Sequence, residues 1–288
     1  MFSSTNCSKK LIVHRKRRFN STEPELGRWF FGRCDVEIKY SISLWNYFHY
    51  TGSPDLSQVI SHVREQDCGI ELWGFYKGES LYDEAGRKKI KPLLKDISVT
   101  LHTVGGSNSF DLQKKQIDAA AELGAGLIVL HPDDLVLKDK KTFDADLARA
   151  AVAYAKERSI KLALENGELL FLTNAIEKTE GLGICLDVGH IYFTPDPMGK
   201  FLAALKHRLI HLHIQDVLPE IEKKLPWRGD DHFIPGTGGI PEEDWDLVAR
   251  TLKEIDFCGT AVFEIQPRNP LQTALLGKNF MREILQRK

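Results

Sequence analysis

The chain has 288 residues, of which 42% are hydrophobic and 27% charged, and its formal net charge is −1. These are the proportions of an ordinary globule able to bury a sizeable core. The near-zero charge gives no general attraction to nucleic acid or to an acidic membrane surface, and no apolar run reaches the ~18 residues that a membrane span needs. Five scattered cysteines, without a Cys-x-x-Cys pair, argue against a disulfide framework or Cys-ligated zinc and suit a reducing, cytoplasmic compartment.

The first 35 residues stand apart. Residues 1–21 contain no acid and carry the cluster His14–Arg15–Lys16–Arg17–Arg18. Such a run suits an organelle-targeting leader or a nucleic-acid contact, but charge runs are usually solvated. Residues 1–35 are therefore read as an extension, solvated or packed on the outside of the main domain, with Trp29, Phe30 and Phe31 supplying that packing.

From Val36 onward, strand and helix alternate. Strands are expected at Lys39–Ser43, Gly69–Trp73, Ile97–His102, Leu127–His131, Lys161–Glu165, Ile184–Asp187, Leu209–His213 and Thr260–Ile265. Helices are expected near Asp55–Glu65, Glu84–Leu94, Phe110–Leu123 (stopped by Gly124), Asp144–Arg158, Leu172–Lys178, Met198–Lys206, Pro241–Ile255 and Leu271–Gln286. The strands are short, continuous apolar runs, as in a parallel sheet buried on both faces. Eight β-then-α units over ~250 residues predict a single (β/α)8 TIM barrel spanning 36–288. The Gly-rich first turn of a doubly wound dinucleotide fold is missing.

Six of these apolar runs end in a residue type that binds metal: His102, His131, Glu165, Asp187, His213 and Glu264. A barrel places its active site at the C-terminal strand ends, and residues two apart on a strand face the same way. Glu165, Asp187, His213 and Glu264 thus converge from four successive strands. Three carboxylates and an imidazole suit Zn, Mn, Co or Mg. His102 and His131 can share Glu165 to hold a second ion, and His190, Asp230 and His232 a third; equally, these histidines can bind substrate oxygens. Glu71 and Trp73 end the second strand on one inward face and are read as substrate-wall residues. The Gly-rich run Pro235–Gly239 offers a weak phosphate signal.

The runs Ala163–Leu–Glu–Asn166, Ile184–Cys–Leu–Asp–Val–Gly–His190, Ile210–His–Leu–His–Ile–Gln–Asp216, Asp230–Asp–His232 with Pro235–Gly–Thr–Gly238, and Val262–Phe–Glu264 resemble the xylose isomerase-like TIM-barrel superfamily, also called AP endonuclease family 2. The resemblance covers about residues 39–267. In its sugar isomerase and epimerase branch, the resemblance implies that Glu165, Asp187, His213 and Glu264 hold one metal and that Glu165 and Glu264 are the catalytic bases. In its endonuclease IV branch it implies three zincs held by His102, His131, Glu165, Asp187, His190, His213, Asp230, His232 and Glu264. Departures weigh against that branch. The first strand reads Ser41–Ile–Ser–Leu–Trp–Asn46 rather than a Gly-rich His-x-Ser turn, and Thr103–Val–Gly–Gly106 holds no aromatic wedge. The expectation is therefore a metal-dependent isomerase, epimerase or dehydratase acting on a small sugar, sugar phosphate or cyclitol. It carries one ion, with positions for up to three, and nucleic acid is not its favoured partner. The alternative is a trinuclear-zinc phosphodiesterase acting on abasic DNA.

Overall fold

Every expected strand forms, and all eight close on themselves in the computed structural model. The structure describes residues 36–48, 52, 54–137, 139, 141–218, 231–266 and 269–287. The extension 1–35 and Asp230 lie outside them. The barrel strands are numbered here β1 (Glu37–Ser43), β2 (Gly69–Trp73), β3 (Val99–His102), β4 (Leu127–Leu130), β5 (Lys161–Leu164), β6 (Gly183–Asp187), β7 (Leu209–Ile214) and β8 (Cys258–Phe263). Each pairs in parallel with the next, and β1 closes onto β8. Among the described residues the eight α-helices are α1 (Leu56–Glu65), α2 (Glu84–Ile90), α3 (Phe110–Leu123), α4 (Ala145–Glu157), α5 (Leu169–Lys178), α6 (Met198–Leu205), α7 (Glu242–Glu254) and α8 (Pro270–Gln286).

Local chemistry sets the helix ends. Asp55 and Gln58 form a reciprocal capping box at the start of α1, satisfying backbone N–H groups that the helix itself leaves open. Ser109 caps α3, and Gly124 ends it at φ 77°, a left-handed position that glycine takes without a Cβ clash. Pro270 opens α8 in its first turn, behind the Asn269 cap.

Register places the site. His213 stands beside Asp187 on β6 and beside Val262 on β8, so Glu264 lies one step beyond the ladder. Glu165 likewise follows the last residue of β5, yet its N–H still donates to Leu130 O at 2.8 Å. A register shift between Ile184 and Cys185 bends β6 just below the site. Inside the barrel Leu127, Val129, Ala163 and Cys185 form an apolar layer, while the main core lies between sheet and helices. Several short 3-10 turns were not expected, and neither was a hairpin of Phe75–Tyr76 with Glu79–Ser80. It turns at Lys77 and Gly78, both with positive φ, the twist that suits a two-residue hairpin.

Candidate metal centre at the barrel mouth

The four strand-end candidates meet. Glu165, Asp187, His213 and Glu264 each offer an atom within 4.8 Å of the others, and none is more than 3% exposed. His213 Nδ1 lies 2.8 Å from Glu165 Oε1, 3.6 Å from Glu264 Oε2 and 3.8 Å from Asp187 Oδ2. Three buried carboxylates around one imidazole hold more negative charge than the imidazole balances, which is costly in a dry site unless a cation is shared. The donor set therefore fits a divalent ion.

Proton affinities follow the crowding. Burial raises Glu165, but the His213 charge and hydrogen bonds from His102, His190 and His213 outweigh it and hold the carboxyl well below its usual range. Burial pulls His213 down, but the buried groups around it, Cys185, Glu264, Glu71 and Glu165, lift it well above the ordinary imidazole value. Asp187 is raised, chiefly by burial.

Side-chain amides fix the ligand backbone. Asn166 accepts from Asp187 N at 3.1 Å and donates to Asp187 O. Asn46 donates to Phe263 O at 2.8 Å and accepts from Ile265 N at 3.0 Å, bracketing Glu264. Gln215 Nε2 donates to both Asp187 carboxylate oxygens, at 3.1 and 2.9 Å. Ser43 Oγ donates to Glu264 Oε1 at 3.0 Å and accepts from Trp73 Nε1 at 3.2 Å. Sequence reasoning missed Ser43, Asn46, Asn166 and Gln215 as site residues. Two signals were available: Gln215 lies two residues after His213 in the same extended run, and Asn166 directly follows the acid just beyond β5.

The outer histidines gather on Glu165. His102 Nε2 and His131 Nδ1 lie 3.6 and 3.4 Å from Glu165 Oε2, and these three residues also converge within ligand range. Burial lowers His102, but its contact with Glu165 prevails and moves it up to about 9. Trp73 stacks on the His102 ring at 4.6 Å, which puts Trp73 at the mouth. His190 Nδ1 is 3.2 Å from Asp187 Oδ2. His232, at φ 48°, donates from Nδ1 to Glu264 O at 2.8 Å, and its ring lies 5.4 Å from that of His190.

One expectation is corrected and another gains detail. Glu71 is fully buried, two residues below the end of β2, where it accepts from Thr100 Oγ1 at 2.9 Å and His211 Nε2 at 2.8 Å and comes within ligand range of His102, His213 and Glu264. The Gly-rich run after Pro235 is not open to a phosphate. Its N–H groups already serve the buried Asp216 carboxylate, which accepts from Gly236, Gly238, Ile240 and Val217 at 2.8–3.0 Å. That side chain occupies the anion nest the turn forms.

Fold and site together define a family. Its profile, the xylose isomerase-like TIM barrel, matches residues 69–284, and the chain belongs to that family. Among curated relatives, the inosose dehydratase of Glaesserella parasuis serovar 5 (strain SH0165) is 26% identical over 177 residues, 52% of this chain and 59% of that protein. The inosose dehydratase of Histophilus somni (strain 129Pt) is 27% identical over 115 residues, 35% of this chain and 38% of that protein. The matched segments thus span less than two thirds of these relatives. Among solved structures, the IolI protein with a binding zinc atom superposes at a TM-score of 0.69 and 15% identity, covering 86% of this chain and 98% of that one. The apo 3-keto-D-glucoside 4-epimerase YcjR of E. coli does so at 0.63 and 17%, covering 86% and 100%. Among the described residues, no helix is long and apolar enough to cross a membrane.

Proposed function

We propose that the chain is a metal-dependent isomerase, epimerase or dehydratase that moves a proton next to a carbonyl of a small sugar, sugar phosphate or cyclitol. The observation that carries this reading is the convergence of Glu165, Asp187, His213 and Glu264 on one buried point. These four would hold a single Zn, Mn, Co or Mg ion, which supplies Lewis acidity toward a carbonyl oxygen when bound. The inosose dehydratases among the relatives, and the epimerases and zinc-binding IolI among the structural neighbours, support the same chemistry.

The chain's own residues do the rest. Glu165 and Glu264 approach from β5 and β8, on different sides of His213, and serve as the bases that remove and return the proton. Glu165 is held ionised. Ser43 ties down Oε1 of Glu264 and leaves Oε2 toward the centre. His102, His131, His190 and His232 surround this point with nitrogens suited to hydroxyl groups, and Trp73 closes one side. The free cysteines Cys68, Cys185 and Cys258 suit a cytoplasmic setting.

Solvent deuterium tests the reading. Incubation of the metal-loaded protein with ketoses, ketose phosphates and ketocyclitols in D2O should place deuterium on a carbon next to the carbonyl. No incorporation across the panel refutes it. The convergence of His102, His131 and Glu165 favours the trinuclear phosphodiesterase, and the inosose dehydratase relatives weigh against it. One ion per chain supports the sugar or cyclitol enzyme; three zincs with nicking of abasic DNA would replace it.

A further inference from the structure

We propose that Asp134 is a positioning residue: its buried carboxylate ties the loops after β3 and β4 into one unit and so sets His102 and His131 as a fixed pair beside Glu165. The inference rests on the reading above, in which that pair faces the substrate. Asp134 lies in the short turn Pro132–Leu135 that follows His131, and it is fully buried. A carboxylate out of water is costly unless its oxygens are satisfied, and here three donors reach it. His131 N donates to Oδ2 at 2.9 Å, Thr103 Oγ1 donates to the same oxygen, and Ser107 N donates to Oδ1 at 2.7 Å. Capping its own turn would need only the first of these bonds. The other two reach back 31 and 27 positions, into the loop that leaves β3.

That loop is shaped to meet the carboxylate. Gly105 and Gly106 have φ of 78° and 72°, left-handed positions that glycine takes freely, and the turn they make brings Ser107 N onto Asp134. Gln113, on α3, holds the junction from the helix side: its Nε2 donates to Ser107 O at 2.8 Å and to Asp134 O at 3.3 Å. Each histidine is then a short step from the bridge. The His131 backbone bonds to Asp134 directly. Thr103 follows His102 in the chain, and Thr103 O accepts from His102 Nδ1 at 2.6 Å. The β3–β4 ladder ends at the His102–Val129 rung, so beyond it Asp134 takes over the work of pairing. One oxygen, Oδ2, serves Thr103 on one loop and His131 on the other, and neither loop can shift without drawing the other along. The two rings accordingly arrive at a single atom, with His102 Nε2 and His131 Nδ1 at 3.6 and 3.4 Å from Glu165 Oε2.

The test perturbs one loop and reads the other. Thr103→Val removes the hydroxyl donor but keeps the side chain's shape, Thr103→Ser keeps the hydroxyl, and Asp134→Asn leaves one acceptor oxygen where two are used. Ring NMR signals of histidine-labelled protein report position, and that of His102 is sensitive because its ring stacks on Trp73 at 4.6 Å. Thr103→Val, made beside β3, should move the His131 signals beyond β4, and Asp134→Asn should move those of His102. Thr103→Ser should leave both as in the wild type, and His62, on α1, should not respond in any variant. With the ketose or ketocyclitol that the wild type turns over fastest, Thr103→Val should lower kcat/KM by ~10–100-fold, the range for a partner that orients a site residue, and Thr103→Ser should recover it. If Thr103→Val loses stability alone, with His131 signals and kcat/KM matching those of Thr103→Ser, Asp134 is only a turn cap and the inference is overturned. If the wild type exchanges deuterium with no ketose, ketose phosphate or ketocyclitol, the functional reading fails instead, and the NMR signals still decide whether the two histidines are coupled.

Discussion

Loading the centre with a divalent ion should release a proton, and the release should come from His213. His213 Nδ1 lies 2.8 Å from Glu165 Oε1, and the buried groups around the ring hold its proton well above the ordinary value of 6.5. At pH 7 the ring is therefore an imidazolium, and an ion must displace its proton. About one proton should leave per ion at pH 7. Below the folded pKa of His213, apparent affinity should then fall about tenfold per pH unit, since one pKa unit corresponds to ~1.4 kcal/mol. Calorimetry of zinc binding in buffers of different ionisation enthalpy counts the protons directly. No release, or an affinity that does not fall as pH is lowered below the folded pKa of His213, would refute the reasoning. The same shifts set the stability of the metal-free protein. His213, raised on folding, stabilises it fully below about pH 6.5, and that contribution fades as pH climbs through the folded value. Glu165, lowered on folding, contributes above about pH 4.5 and loses its contribution as pH falls through its folded value. From this pair, the metal-free protein should be most stable between those limits, whereas metal loading should improve with rising pH.

Other perturbations have equally definite outcomes. Glu264→Gln in saturating metal should lower proton-exchange turnover by ~10²–10⁴-fold, measured as deuterium incorporation; full retention would show that another group is the base. Asp216→Ala deprives four backbone N–H groups of their acceptor and should cost ~3 kcal/mol after partial hydration. Denaturant unfolding reads that loss, and a change below about 1 kcal/mol, the low end for one orphaned group, would contradict the assignment. Asn46→Ala should cost ~2 kcal/mol for the same reason and should weaken metal binding, because Phe263 O and Ile265 N flank Glu264; titration calorimetry measures the second effect.

The barrel and the convergence of its strand-end side chains were legible because their signals are local. Glu165, Asp187, His213 and Glu264 each close an apolar run, and the rule that sites lie at C-terminal strand ends did the rest. Helix α3 was legible to the residue because Ser109 and Gly124 mark its ends by side-chain and backbone chemistry. Depth was not. Glu71 and Trp73 share a face on β2, but the strand ladder seats Glu71 beside Ser43 and Thr100, a layer under the tip. Only the register between strands carries that information. The glycines after Pro235 announced a nest but not its occupant, because Asp216 lies twenty residues before Gly236. The Phe75–Tyr76 hairpin arms, at two residues each, are too short to display a strand period.

Asn46 and Asn166 prolong the sheet without prolonging the strands. Each presents an amide that imitates a peptide group, so the backbone around Glu264 and Asp187 is gripped as firmly as within the ladder although regular pairing has stopped. Loop sequence at the rim can therefore drift while the strand-end side chains beneath it keep their spacing. A designer seeking a new selectivity in this scaffold would leave those two amides alone and rewrite what lies above them.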